Sequence, residues 1–169
     1  MFSSIARTTL QRSTLRLVLR SQSTNALTKT QLPFTYSAAG PSFIKYTSEH
    51  EWIAAHEDGT AFIGITKYAA DALGDATYIE LPEAETVIEA GESISSIESV
   101  KSASEIYQPV AGTILEANTK LEESPNLIND DPLGAGWIAK IKLNNLKDLE
   151  TSELVSLEQY EKSLKEDAH

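Results

Sequence analysis

The chain of 169 residues is long enough for one domain with an appendage, and its 25 acidic and 14 basic side chains give a net charge of −11. It contains no cysteine, which excludes disulfides, thiolate nucleophiles and thiolate metal sites, so any redox chemistry must be supplied from outside the chain. No apolar run approaches the roughly 20 residues of a membrane-spanning helix, so no membrane partner is expected.

The first 48 residues carry six basic side chains and no acidic one, whereas the remaining 121 carry eight basic and 25 acidic side chains. The segment is rich in serine, and Arg12, Arg16 and Arg20 recur every four residues. This composition is typical of a mitochondrial transit peptide, and the arginines interrupt the apolar stretch that a secretory signal needs. We predict a transit peptide and flexible N-terminus over residues 1–41, with cleavage between about residue 20 and residue 40. A nucleic-acid-binding arm is disfavoured, because the acidic remainder would repel phosphates.

From Ile44 onward, short β-rich segments alternate with turn signals such as Asp58-Gly59. The segments are IKYT (44–47), EWIAAH (51–56), TAFIGI (60–65), ATYIEL (76–81), GTILEA (112–117) and WIAKIKL (137–143). Several alternate apolar and polar residues, most clearly the last. This many short strands at this spacing predict a small sandwich or barrel.

Two short helices are predicted between these strands. The segment 66–73 has Thr66 as its N-cap and Gly74 as its stop. The segment 118–123 begins at Asn118 and ends before a Ser-Pro pair.

The C-terminal stretch is amphipathic and predicts further helix over residues 146–165. Ser156 followed by Gln159 fits a capping box, which divides this stretch into two helices with a break near Ser156. We expect it to cover the sheet rather than to bind a membrane, because its polar face is acidic.

No pattern in the chain signals a catalytic centre. The histidines His50, His56 and His169 lack metal-ligand spacing such as HExxH, so no metal is expected. The nucleophile-elbow, dinucleotide and nucleoside-triphosphate fingerprints are absent as well. Adjacent acids such as Glu122-Glu123 are typical of solvated surface. General acid–base catalysis is therefore left without support.

Lys101 stands out in ESVKSAS (98–104), because it is the single basic residue between Lys67 and Lys120. The flanking segments GESISSIES and ASEIYQPVAG are β-compatible, which predicts a hairpin with Lys101 near its tip. An exposed lysine is a poor Schiff-base nucleophile, since that chemistry needs burial or a neighbouring cation. It is better suited to acylation by another enzyme, and its small neighbours leave room for that enzyme. An unmodified surface lysine is the plain alternative.

Five longer segments resemble the sequences of a known protein family. They are YTSEHEWI (46–53), GITKYAADALGDATYIELPE (64–83), ESVKSASEIYQPVAG (98–112), PNLIND (125–130) and GWIAKIKL (136–143). In this order and spacing they closely resemble the H-protein family of the glycine cleavage system, over nearly everything from residue 43 to the end. The resemblance implies a mainly β fold for residues 42–169, namely a flattened β-barrel of two antiparallel sheets like that of lipoyl and biotinyl domains. Short helices and the C-terminal helical segment would be added to it.

The resemblance also implies that Lys101 carries lipoic acid in amide linkage, added by a lipoyl or octanoyl transferase. Glu98, Val100, Ser102 and Gly112 would contribute to recognition by that enzyme. The lipoyl group would accept an aminomethyl group from a pyridoxal-phosphate-dependent glycine decarboxylase and deliver it to a tetrahydrofolate-dependent aminomethyltransferase. Dihydrolipoamide dehydrogenase would then reoxidise the group. The chain would thus be a non-catalytic, monomeric carrier in the mitochondrial matrix.

Members of this family can fold the loaded arm back into a cleft of the barrel. By this resemblance, Glu51 and Glu105 would lie near that cleft. Ala72 is also expected near it, and its side chain can make no polar contact with an arm. Glu85 stands where the family commonly has glycine, which changes the expectation for the local turn.

Other readings of the lysine segment are open. A lipoyl domain of a 2-oxoacid dehydrogenase would be joined to a catalytic domain, and biotin carriers usually flank their lysine with methionines rather than with Val100 and Ser102. A lipoate relay or interaction protein for lipoylation of other mitochondrial complexes is the alternative function. An enzyme acting through Lys101 itself is the remaining possibility.

Overall fold

The computed structural model describes residues 25–27, 41–150 and 153–167. The predicted transit peptide lies outside these residues, apart from Asn25–Leu27 and residue 41. The elements in chain order are β1 (Phe43–Tyr46), β2 (Glu51–Ala55), β3 (Thr60–Ile65), α1 (Lys67–Leu73), β4 (Ala76–Glu80), β5 (Val87–Ile88), β6 (Ser93–Ser99), β7 (Ala103–Tyr107), β8 (Gly112–Ala117), α2 (Lys120–Glu123), α3 (Leu127–Asp130), β9 (Ala139–Leu143), a 3₁₀ helix (Leu146–Glu150) and α4 (Leu157–Asp167). No helix among them is long and apolar enough to cross a bilayer.

The strands form two antiparallel sheets. One has the order β1-β2-β3-β9-β8-β5 and the other has the order β4-β6-β7. Isoleucines from both sheets, including Ile63, Ile97, Ile114 and Ile141, are fully buried in one core. Burying apolar surface between two layers is the main stabilising contribution to such a fold. The prediction of a mainly β protein with two antiparallel sheets is confirmed.

Strands β2 and β3 are buried on both faces of the larger sheet. Their alternate residues, such as Ile53 and Ile63, enter the main core, while Trp52 and Phe62 enter a second apolar cluster that also holds Tyr160 from α4. This second cluster explains why β2 reads as continuously buried rather than alternating. The expectation that the C-terminal segment covers the sheet is confirmed.

The first predicted helix has the expected ends. The Thr66 hydroxyl accepts a hydrogen bond from Ala69 N, and Gly74 terminates α1 with a φ of 80°. The second prediction was wrong in its start, because α2 begins after Thr119. The Asn118 side chain is instead buried and donates to two carbonyl oxygens in the loop before β9, so it joins that loop to the end of β8. The short elements β5 and α3 were not predicted.

The C-terminal segment contains the predicted capping box. Ser156 N donates to the Gln159 side-chain carbonyl at 3.1 Å, and Gln159 N donates to Ser156 Oγ at 3.2 Å. The first of the two predicted helices is a 3₁₀ helix of five residues rather than an α-helix, and the second continues to Asp167. Between them, Val155 exchanges two backbone hydrogen bonds with Tyr46 of β1, at 2.8 and 2.9 Å.

Glu85 adopts a left-handed backbone conformation with a φ of 67°. An L-residue with a side chain pays about 1–2 kcal/mol for this conformation. Glu85 N donates to Ile114 O at 2.7 Å, which holds the turn against β8. The turn therefore keeps a glycine-like backbone although the residue is glutamate.

Candidate functional site

The hairpin β6–β7 presents Lys101 at its tip, as predicted. Glu98 pairs with Ala103, and the turn between the strands is closed by Ser99 N donating to Ser102 O at 2.7 Å. Ser99 Oγ also accepts hydrogen bonds from the backbone N–H groups of Lys101 and Ser102, both at 3.1 Å. A serine side chain thus fixes this turn, which has no Asn-Gly sequence. This role of Ser99 was not predicted from the sequence.

The Lys101 side chain is exposed at the end of helix α1. Its aliphatic carbons lie near Gly74, since a Cβ added there would be 3.3 Å from Lys101 Cδ. The ion pair that the described residues contain is Lys67–Asp71, so none of their carboxylates pairs with the Lys101 amine. The amine is therefore accessible to an acylating enzyme without the loss of a salt bridge.

The predicted recognition residues divide into two groups. Glu98, Val100 and Ser102 surround Lys101 and are all exposed, with Val100 71% exposed. Gly112 lies in β8 of the other sheet, where an added Cβ would come within 2.6 Å of the Lys142 carbonyl oxygen. The structure thus brings three of the four residues to the hairpin tip, and close strand packing accounts for glycine at the fourth position.

A cavity of about 360 Å³, here called the hairpin cleft, lies between α1 and the hairpin. It begins beside Ser102, and Glu105 of β7 contributes to its wall, as does Ala72 of α1. The Glu105 carboxylate accepts a hydrogen bond from Ser93 Oγ. Glu105 and Ala72 therefore both line the hairpin cleft, and their proximity to an attached arm stays a prediction.

Glu51 lies behind the cleft rather than in its wall. Its side chain is 2% exposed, and its carboxylate accepts hydrogen bonds from Thr47 Oγ1 and from Tyr107 N. Burial raises the pKa of Glu51 despite these hydrogen bonds. Glu51 instead faces a second cavity of about 710 Å³, which shares Glu49 and Tyr107 with the hairpin cleft. The link between Glu51 and the hairpin cleft is indirect: Glu51 accepts a hydrogen bond from the backbone of Tyr107, and Tyr107 lines the cleft.

His50 lines the hairpin cleft and was not singled out from the sequence. Its Nδ1 lies 2.9 Å from the Tyr160 hydroxyl, which lies 2.8 Å from Thr66 Oγ1. Burial lowers the pKa of His50, while Glu49 and Asp167 act in the opposite direction. Burial raises the pKa of Tyr160 to about 12, so this hydroxyl is protonated at neutral pH. The segment YTSEHEWI contained His50, but no local pattern links it to residues 66 and 160.

No group of three metal-ligating side chains occurs within the part of the chain that the structure describes. The residues of the cleft are instead suited to an organic arm. Its walls combine apolar side chains such as Ile97 and Ile106 with the hydroxyls of Ser102 and Ser104. A flexible arm attached next to Ser102 could lie along them.

Comparisons with known proteins show which family this chain resembles. The family model described as Glycine cleavage H-protein matches residues 44–167. The mitochondrial glycine cleavage system H protein of Saccharomyces cerevisiae is 60% identical over 161 residues, which are 95% of either chain. The glycine cleavage system H protein of Thermus thermophilus is 50% identical over 123 residues, 73% of this chain and 94% of that protein. The crystal structure of a glycine cleavage system H protein from Mycobacterium marinum aligns with a TM-score of 0.65 at 35% identity, covering 72% of this chain and 96% of the other.

Proposed function

This chain belongs to the glycine cleavage H-protein family, and we propose that it is the lipoyl carrier of a mitochondrial glycine cleavage system, with the lipoyl group in amide linkage to Lys101. The observation that carries the proposal is Lys101 itself, an exposed amine at the tip of a hairpin whose turn is fixed by Ser99. The small side chains of Ser99, Ser102 and Ala103 leave the amine open to approach.

The residues around Lys101 fit an attached lipoyl group in two respects. The Lys101 amine can lose a proton and form an amide without breaking an ion pair to a described carboxylate. The hairpin cleft beside it combines apolar and polar walls, which match an acyl chain with a reactive end. When attached, the lipoyl disulfide supplies a two-electron acceptor and a sulfur atom that can carry an aminomethyl group.

The hairpin tip would also be the contact surface for the acylating enzyme, a lipoyl or octanoyl transferase. Glu98 and Val100 flank the lysine on its N-terminal side and Ser102 follows it. Tyr78 of β4, which is 54% exposed and pairs with Glu98, enlarges this surface. Gly112 would act indirectly, by allowing β8 and β9 to pack closely.

The further partners would be the enzymes that the carrier serves in glycine catabolism and one-carbon metabolism. They are the pyridoxal-phosphate-dependent glycine decarboxylase, the tetrahydrofolate-dependent aminomethyltransferase and dihydrolipoamide dehydrogenase. Those enzymes would supply the catalysis, and this chain would move its arm between them. We further propose the mitochondrial matrix as its compartment, because the yeast relative is mitochondrial and the first 48 residues are basic and free of acids.

The test is the mass of the chain after reaction with lipoic acid, ATP and a purified lipoate ligase. We expect one lipoyl increment on the wild type, none on Lys101→Arg and one on the control Lys120→Arg. Lys101→Arg should also fail to support glycine decarboxylation in a reconstituted system. A lipoyl increment on Lys101→Arg would refute the assignment of the site.

A further inference from the structure

Helix α1 runs between Lys101 and His50, so its length gives the distance between them. At one end, Gly74 lies against the Lys101 side chain. At the other end, Thr66 N donates to the backbone oxygen of His50 at 2.9 Å. Eight residue steps at 1.5 Å per residue make this separation about 12 Å.

An arm made of the lysine side chain and an eight-carbon acyl chain has about a dozen bonds, and it spans roughly 15 Å when extended, because bonds near 1.5 Å follow a zigzag with tetrahedral angles. The hairpin cleft accompanies α1 along this distance, from Ser102 beside the attachment point to His50. The length of the arm therefore matches the length of the cleft. Its reactive end can reach the imidazole.

We propose that His50 binds the distal end of the arm on Lys101 when that end carries an amine, and that Tyr160 of α4 holds the imidazole in place. This inference rests on the proposed function. It names a residue of the hairpin cleft in addition to the acids Glu51 and Glu105, which the resemblance to the family had suggested. It also assigns a role to the C-terminal helix.

Two tyrosines hold the His50 side chain. Its Nδ1 contacts the Tyr160 hydroxyl at 2.9 Å, and the same hydroxyl contacts Thr66 at the start of α1. The ring packs against Tyr68 with centroids 4.7 Å apart. The backbone has a φ of 70°, a conformation that is rare for residues other than glycine and that tends to occur at functional sites.

The second ring nitrogen is available to a ligand. Within residues 25–27, 41–150 and 153–167, Nε2 of His50 has no hydrogen-bond partner, whereas Nδ1 is engaged by Tyr160. A neutral imidazole with Nδ1 protonated can accept a hydrogen bond from an ammonium group at Nε2. Glu49 and Glu105 line the same cleft, and their negative charges favour a cation there. Ala72 also lines the cleft, but its side chain has no atom that could accept a hydrogen bond from the ammonium group.

The absence of cysteine makes a selective experiment possible, because the reduced arm then holds the only thiols of the lipoylated chain. After reduction, both arm thiolates are alkylated with 2-bromoethylamine. Each sulfur displaces bromide and forms a carbon–sulfur bond, which leaves two stable primary ammonium groups near the end of the arm, one on each sulfur. Alkylation with 2-bromoethanol gives a matched arm that ends in a neutral hydroxyl.

The readout is the imidazole ¹⁵N and ¹H chemical shifts of the histidines, with His50 assigned through its loss in His50→Asn. Asparagine tolerates the left-handed backbone, so this variant removes the ring without adding strain. We expect the amine-capped arm to shift the His50 signals relative to the hydroxyl-capped arm. The signals of His56, which lies outside the cleft, should not change.

Two variants test whether the arm is held by this residue. With a ¹³C-labelled cap, His50→Asn should make the transverse relaxation of the cap several-fold slower, because the arm end becomes mobile. Tyr160→Phe, which keeps the ring that stacks on Tyr46, should have a smaller effect in the same direction. His56→Asn is the matched control and should behave as the wild type.

The outcomes separate the two proposals. Failure to lipoylate Lys101 would remove the proposed function and this inference with it. A fully lipoylated chain in which the His50 signals respond equally to both caps, or to neither, would overturn the inference alone. Unchanged cap relaxation in His50→Asn would do the same.

Discussion

The side chain of Lys101 lies against Gly74, the residue that ends α1, so that a Cβ added to Gly74 would be 3.3 Å from Lys101 Cδ. Gly74 has a φ of 80° and a ψ of −172°, a region that is open essentially to glycine alone. The end of the helix and the start of the arm are therefore in contact. A change at Gly74 should be felt at Lys101.

We expect Gly74→Ala to lower the free energy of unfolding by about 1–3 kcal/mol, because alanine is strained in this backbone conformation. In a double-mutant cycle with Lys101→Ala, the coupling energy should be about 0.5 kcal/mol, since the second change removes the contact but not the strain. Urea unfolding measures both values. Gly91→Ala is the control, because Gly91 also has a positive φ but an added Cβ would meet nothing within 4 Å. Zero coupling would show that the contact is absent in solution.

Val100 offers a test of recognition by the acylating enzyme. We expect Val100→Ser to slow lipoylation about fivefold, which corresponds to the loss of about 1 kcal/mol of apolar contact in the enzyme complex. Val87 of β5 is a matched control, because the two valines are 70% and 71% exposed and lie in different places. Initial rates with a purified lipoate ligase provide the measurement. Equal rates for both variants would mean that Val100 is not part of the enzyme contact.

Gly112 is predicted to matter for folding more than for the enzyme contact. Gly112→Ala should destabilise the protein by about 1–3 kcal/mol, because its Cβ would overlap the β9 backbone. The midpoint of urea unfolding measures this loss. Because Gly112 lies in the other sheet, the folded fraction should be lipoylated at the wild-type rate, in contrast to Val100→Ser. A slow rate in a fully folded variant would restore a direct role in recognition.

Glu51 should make stability depend on pH. Its pKa is raised in the folded state by burial, so between the unfolded value of 4.5 and the folded value the native protein holds a proton that the unfolded chain has released. Stability should therefore fall as pH rises through this range and level off above it. Glu51→Gln should remove this fall, while Glu49→Gln, which loses a neighbouring carboxylate, should retain it. Urea unfolding between pH 4 and pH 8 measures these changes in stability. A fall in stability that persists in Glu51→Gln would refute the assignment to Glu51.

Local signals in the sequence were sufficient to predict many of the strands and helix ends. The bounds of β3 and β8, the N-cap Thr66 and the capping box at Ser156 were all correct, because each depends on residues close together in the chain. The hairpin around Lys101 was correct for the same reason. Its turn is closed by the hydrogen bond from Ser99 N to Ser102 O, three residues later.

The features that were not predicted from the sequence depend on contacts between segments that are distant in the chain. His50 acquires its place from residues 66 and 160, and the role of Asn118 is decided by the loop before β9. The two-residue strand β5 exists through its pairing with β8, not through a pattern of its own. Such partners are chosen by tertiary packing, which overrides local propensity.

The two hydrogen bonds between Val155 and Tyr46 have a consequence for encounters between molecules. Strand β1 is the outermost strand of its sheet, and its free N–H and C=O groups would be a template for a strand of another chain. Val155 occupies part of that template, and α4 follows directly behind it. Association along this border would first have to displace the chain's own C-terminal segment, which protects the protein against aggregation through added strands.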